Sequence, residues 1–257
     1  MTANEWKEMC ALFRDYLRLP DYPIGVRLFR SGETLPVLHV PDPNISLICQ
    51  LGYLARVNHQ IGVLRRTDVG CGLGAACLGL IKTPSCMRGE DSVGMYVEDH
   101  RAGYRLHTAV SKLGDTQQQY EAIAIAPLDI IPFDPQVIAI YGTPGRIRQL
   151  IHASIYREGE PISVTTAAEA AIGTSIAKVI LYHRPVIDLP CLGDHKYGLA
   201  GDVNAIFAFP ASMVAQIAEG LSKAVKMGHG YPSRVAVAGE EVIISEGHRM
   251  RPEYLLQ

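Results

Sequence analysis

No stretch of this chain approaches the roughly 18 consecutive apolar residues that a membrane-spanning helix needs. Neither sign of charge is in excess: 24 Lys and Arg stand against 26 Asp and Glu, a formal net charge of −2. That balance gives no general electrostatic reason to bind nucleic acid or an anionic membrane surface. The opening residues, Met1 to Cys10, carry acids where a secretory leader needs a basic and then an apolar run, so a cytoplasmic location is expected. The six cysteines include no pair at the two-residue spacing of a zinc ribbon or a thioredoxin-like site. A cytosolic chain of 257 residues needs no staples, so free thiols are expected rather than disulfides.

What is present is a pattern of alternating strands and helices. Apolar residues at helical spacing predict a helix over residues 4–18, stopped by Leu19-Pro20. Ile24 to Phe29 reads as a strand. A helix to about Val57 follows a turn at Pro41 to Asn44, with Asn44 or Ser46 as its cap. Strands are expected over residues 61–67 and 121–126, a helix over 97–113, and a buried alanine-rich helix over 166–179. Two segments resemble each other: residues 136–145 lead into a helix to about Tyr156, and residues 204–212 lead into one to about Met227. Each is a buried strand, a tight turn and an amphipathic helix, compatible with an internal duplication. Residues 234–237 and 241–244 suit a closing hairpin. The expected class is α/β or α+β, a single compact domain over residues 1–257 with a mixed sheet flanked by helices.

Two cysteine segments carry the chemistry. Cys71 opens Cys-Gly-Leu-Gly-Ala-Ala-Cys-Leu-Gly-Leu, and Cys191 lies in Leu-Pro-Cys-Leu-Gly-Asp-His. A strand ending in a glycine-rich turn before a short helix aims free N–H groups at whatever lies ahead, which favours a thiolate there. Gly72, Gly74 and Gly79 do not make a dinucleotide-binding fingerprint. Iron–sulfur clusters recruit thiolates from distant segments, and Cys49, Cys71 and Cys191 could form such a set, leaving one iron open to substrate. Alternatively Cys71 or Cys191 is a nucleophile, with His195 as base and Asp194 orienting it; Asp194 and His195 capping the turn is the simpler alternative. Cys49 read alone is a core residue. Arg27 in its apolar strand and Arg146, in Thr143-Pro-Gly-Arg-Ile-Arg148, are candidates to bind an anionic substrate, or else ordinary surface arginines. His183 and Arg184 read as a polar strand end or an anion site.

Several segments, in order, resemble the family known as domain of unknown function 169. They are Pro23-Ile-Gly-Val-Arg27, the cysteine-bearing helix from Cys49 to Ala55-Arg56, Cys71 through Leu80, Ala124 to Leu128, Pro135 to Ile138, and Leu189 to Asp194. The resemblance spans residues 20–220. It departs at His195, where the family pattern has Arg, and at Thr165 to Ala168, where the pattern carries a further cysteine. The family label implies no established activity. Members looking like proteins of anaerobes would suit an oxygen-sensitive metal–sulfur role, and all three of Cys49, Cys71 and Cys191 fall on matched segments. The expectation is therefore a protein holding an iron–sulfur cluster of the 4Fe–4S type, open to a small-molecule substrate. An oxidoreductase or lyase, a redox partner protein and a homo-oligomer would all be compatible with it. The alternatives are metal-free thiol catalysis and a non-enzymatic cofactor-binding or maturation module.

Overall fold

A computed structural model describes residues 1–36, 45–117 and 119–232. The turn at Pro41 to Asn44, the Asn44 cap and the closing hairpin at 234–244 lie outside them. Six strands form one sheet: β1 (Ile24–Phe29), β2 (Gly62–Arg65), β3 (Ala122–Pro127), β4 (Val137–Gly142), β5 (Val186–Asp188) and β6 (Ala205–Pro210). Their order is β2-β3-β1-β4-β6-β5, and every pair is antiparallel. The class is α+β. The mixed sheet expected from alternating elements is not formed, because each β–helix unit returns to the sheet beside an oppositely directed strand.

Both faces of the sheet are covered, so most strands are continuously apolar rather than alternating. Side-chain parity assigns the faces. On one face Val26 stands between Ile125 and Val137, and Tyr141 stands opposite Ile206. These residues join a core with α2 (Ile48–Arg56), α3 (Gly72–Cys77) and α6 (Ala171–Tyr182), against which Cys49 and Cys191 pack. On the other face Ile138 is opposite Phe209 and Ile140 opposite Phe207. Here the core is completed by α1 (Ala3–Leu17), α5 (Pro144–Ile155) and α8 (Val214–Lys226).

The local signals explain most boundaries. Thr2 and Glu5 form a capping box at the start of α1. The two similar strand–helix units prove to be neighbours: β4 pairs with β6, and α5 packs on α8. Gly220 permits that crossing, since a Cβ there would lie 2.5 Å from the Ala153 carbonyl oxygen. The helix expected at 97–113 is shorter, α4 (His100–His107), because Asp99 caps it by accepting from the Ala102 amide. The alanine-rich helix starts late, at Ala171, because Ala168 and Ala170 sit in the left-handed region. Among the described residues no helix is long and apolar enough to cross a membrane.

Candidate functional site

Three helix starts deliver three cysteines to one cavity of about 290 Å³. Cys49 is the second residue of α2, Cys71 is the N-cap of α3, and Cys191 is the N-cap of α7 (Leu192–Lys196). All three are half-buried, and like Cys10, Cys77 and Cys86 they are free of disulfides. The cavity wall is otherwise aliphatic or glycine, with one acid, Asp194, and one phenol, Tyr197; no Lys, Arg or His lines it among the described residues.

Backbone amides supply the positive polarity instead. The Gly74 N–H donates to the Cys71 sulfur at 3.3 Å. The backbone of Gln50 lies where it favours the thiolate of Cys49, and the backbones of Ala171 and Asp194 do the same for Cys191. Ala171 opens α6, so a fourth helix start faces the same space. Glycines keep that space open: a Cβ on Gly193 would sit 3.6 Å from the Cys191 sulfur and 3.7 Å from that of Cys49, and one on Gly74 would be 3.3 Å from the Cys71 sulfur.

Asp194 is 1% exposed and tightly held. Tyr141 donates its hydroxyl to Oδ1 at 3.1 Å, while the Cys191 N–H and thiol approach Oδ2 at 3.3 and 3.2 Å. Burial pushes this carboxyl above its ordinary range, against these hydrogen bonds. Behind Tyr141 lies the buried guanidinium of Arg56, 4.8 Å from the ring centroid, ion-paired with Asp21 and donating to the Gly198 carbonyl.

The remaining predicted site residues are elsewhere. Arg27 alternates with Val26 and Leu28 and so projects to the opposite face of the sheet, where it pairs with Glu33 at 3.0 Å and lies over the Phe29 ring. Arg146 belongs to α5 on that same far face; its guanidinium donates to the Leu17 and Arg18 carbonyls, closing the C-terminus of α1. Neither lines the cysteine cavity. Asp194 is at the cavity. His195, one residue on, is not in its wall: its Nδ1 is 2.7 Å from the Ala200 carbonyl oxygen and 3.6 Å from Asp202. His183 and Arg184 line a separate hollow. Sequence reasoning missed Tyr141, Arg56 and Ala171, which act from a strand interior, a helix end and a helix start with no motif of their own.

Burial sets the thiols' reactivity. Cys49 is pushed up to about 12, chiefly by desolvation and then by Asp194. Cys191 is raised by the same two causes. That is the reverse of an activated nucleophile. In metal-free protein at pH 8, iodoacetamide is expected to modify the exposed Cys86 first. Cys10, Cys49 and Cys77, each raised to about 12 by desolvation first of all, should react slowest. Peptide mass mapping over time checks this; fastest labelling at Cys49 or Cys191 would instead favour thiol catalysis.

An uncharacterized protein of Methanocaldococcus jannaschii, MJ0308, is 21% identical over 222 residues, covering 86% of this chain and 95% of that protein. No solved structure matches the chain. The family model for DUF169, described as uncharacterised ArCR, matches residues 12–220, and that span includes every cysteine of the cavity. The chain belongs to the DUF169 family.

Proposed function

We propose that Cys49, Cys71 and Cys191 hold an iron–sulfur cluster of the 4Fe–4S type, with one iron lacking a protein thiolate and open to a small ligand. The observation that carries this reading is the convergence of three thiols on one apolar cavity in which backbone N–H groups, not basic side chains, meet the sulfurs. Amide donors to the sulfurs and a dry surround are what tune such clusters. The spacing of the thiols also favours a cluster over a single ion. Thiolates on one zinc, at about 2.3 Å each, lie roughly 3.8 Å apart. The three sulfurs here do not all fall within 4.8 Å of one another. A cubane places each thiolate on a different iron and so spreads them. Gly193 keeps the space beside the Cys49 and Cys191 sulfurs clear of a side chain.

When bound, the cluster would supply Lewis acidity or one-electron transfer. The chain's own contribution would be positional. Tyr141 and the Cys191 N–H hold Asp194 at the cavity wall, where a carboxyl raised by burial can carry a proton to or from a ligand.

The test is reconstitution without oxygen using ferrous iron and sulfide. About four irons per chain and broad visible absorption are expected for such a cluster. Both should be lost in Cys71→Ala and kept in Cys86→Ala. A reconstituted chain that retains no iron would sink the proposal.

A further inference from the structure

A second constellation lies outside the cysteine cavity and is independent of the cluster reading. Asp91, His107 and Glu169 bring one ligand atom each to within 4.8 Å of the others. His107 ends α4, and its side chain is 3% exposed. Its Nδ1 stands 2.9 Å from the Met87 carbonyl oxygen, an acceptor only, so Nδ1 carries a proton. In the neutral ring Nε2 then presents a lone pair. That nitrogen faces Asp91 Oδ1 at 3.4 Å and Glu169 Oε2 at 3.5 Å. The Glu169 side chain is 11% exposed, and its Oε2 is buried with no hydrogen-bond partner.

Three acceptor atoms thus converge, with a single hydroxyl proton among them. Ser92 Oγ is 2.8 Å from Nε2 and 3.4 Å from Glu169 Oε1, and its proton can serve one of them. The buried ammonium of Lys112 donates to the carbonyls of His107 and Val110 and reaches Glu169 and Asp91 as a nearby charge, with no hydrogen bond to either. A proton on Nε2 would point at one carboxylate oxygen and leave the other unmet. A metal ion meets all three together. The separations suit one: ligands at about 2.1 Å in tetrahedral array stand roughly 3.4 Å apart. The Met87 carbonyl on Nδ1 is the outer-shell partner that fixes a metal-binding tautomer.

The backbone is arranged to hold these atoms together. Gly89, with φ +118°, lets the loop carrying Asp91 lie directly on α4: a Cβ there would come 2.2 Å from the Gly103 carbonyl carbon. Glu169 is bracketed by Ala168 and Ala170, at φ 50° and 46°, left-handed conformations that alanine adopts only where its surroundings enforce them.

We propose that Asp91, His107 and Glu169 form a mononuclear site for a divalent transition-metal ion, with a fourth position free for water or a ligand. One nitrogen and two carboxylates are a set for Zn²⁺, Fe²⁺ or Mn²⁺ rather than for thiol-seeking metals. Ala170, next to Glu169, lines the cysteine cavity, so the two sites are neighbours.

Mn²⁺ is the probe, because it avoids thiolates. Titration of the full chain, followed by loss of the free-ion paramagnetic resonance signal, is expected to give one bound Mn²⁺. Glu169→Gln and His107→Ala should weaken binding at least about tenfold. Mn²⁺ should raise the unfolding temperature of the parent chain but not of Glu169→Gln. Asp91→Asn, altering the most exposed of the three, serves if a buried substitution fails to fold. The proposal is overturned if the parent chain takes up no Mn²⁺, which leaves a histidinium–carboxylate ion-pair knot. It is overturned equally if Glu169→Gln and Asp91→Asn bind as the parent does. Loss of Mn²⁺ in Cys71→Ser with retention in His107→Ala would place the ion among the thiols and also overturn it. Iron content after reconstitution reports on the cysteine cavity separately.

Discussion

Replacing Arg56 with Met is expected to cost about 3 kcal/mol of stability, the lower end of the penalty for breaking a buried ion pair from one side. Arg56 is 4% exposed, while its partner Asp21 is 24% exposed and can recover some hydration, which sets the estimate low in the range. The change strands three groups at once. Asp21 loses its counter-ion, the Gly198 carbonyl loses a donor, and the Tyr141 ring loses the cation behind it. Those groups belong to the chain before β1, the segment after α7, and β4, so one side chain ties three elements beside the cysteines. A fall in melting temperature of roughly 6–12 °C is expected for a chain of this size. Lys restores charge without the planar fork and should recover only part of it. On the proposed cluster reading the site should suffer too, because α2 carries Cys49 and α7 follows Cys191: reconstituted Arg56→Met is then expected to hold substoichiometric iron. A melting temperature within about 2 °C of the parent would show that this guanidinium ties nothing together.

The framework was legible wherever local periodicity and burial agree. α1, β1, β3 and the two strand–helix units carry apolar patterns that a neighbour reinforces, and their bounds fall within a few residues of expectation. β5 was not legible: three residues after Pro185 are too short for any pattern, and it exists because β6 offers an edge. The alanine-rich segment shows tertiary structure overriding propensity. Helix-forming residues 166–170 are held out of α6, and Thr166 instead bonds Asp188 and caps the Ala168 amide. Cys49, Cys71 and Cys191 could be grouped because the latter two lie beside glycine or proline at helix starts. Arg27 illustrates the limit. Its parity against Val26 and Leu28 is plain in the chain, but which face receives the cysteines is decided only when the helices pack. Asp91, His107 and Glu169 are far apart in sequence with no shared motif; the Gly89–Gly103 contact and two left-handed alanines assemble them.

Replacing Phe209 with Ala is expected to cost about 3–5 kcal/mol, since it empties a fully buried aromatic site that its neighbours can only partly fill. Phe209 is 0% exposed, packed edge-on to Phe13 of α1 at 6.1 Å and against Phe207 at 5.9 Å. The cavity would open between α1 and the sheet, so the melting temperature should drop by roughly 10 °C or more. The cysteine site should nevertheless survive. Phe209 points to the α1, α5 and α8 face, while its strand neighbours Ile206 and Ala208 point to the face that carries α2, α3 and α6. On the proposed cluster reading, below its melting temperature Phe209→Ala should therefore reconstitute as the parent does, whereas Arg56→Met should not, although both are destabilised. The contrast separates damage to the fold from damage to the site. Were Phe209→Ala to lose its iron while still folded by circular dichroism, the sheet would be transmitting strain between its faces. The cysteine cavity would then depend on the packing of α1, not only on the helices that carry its thiols.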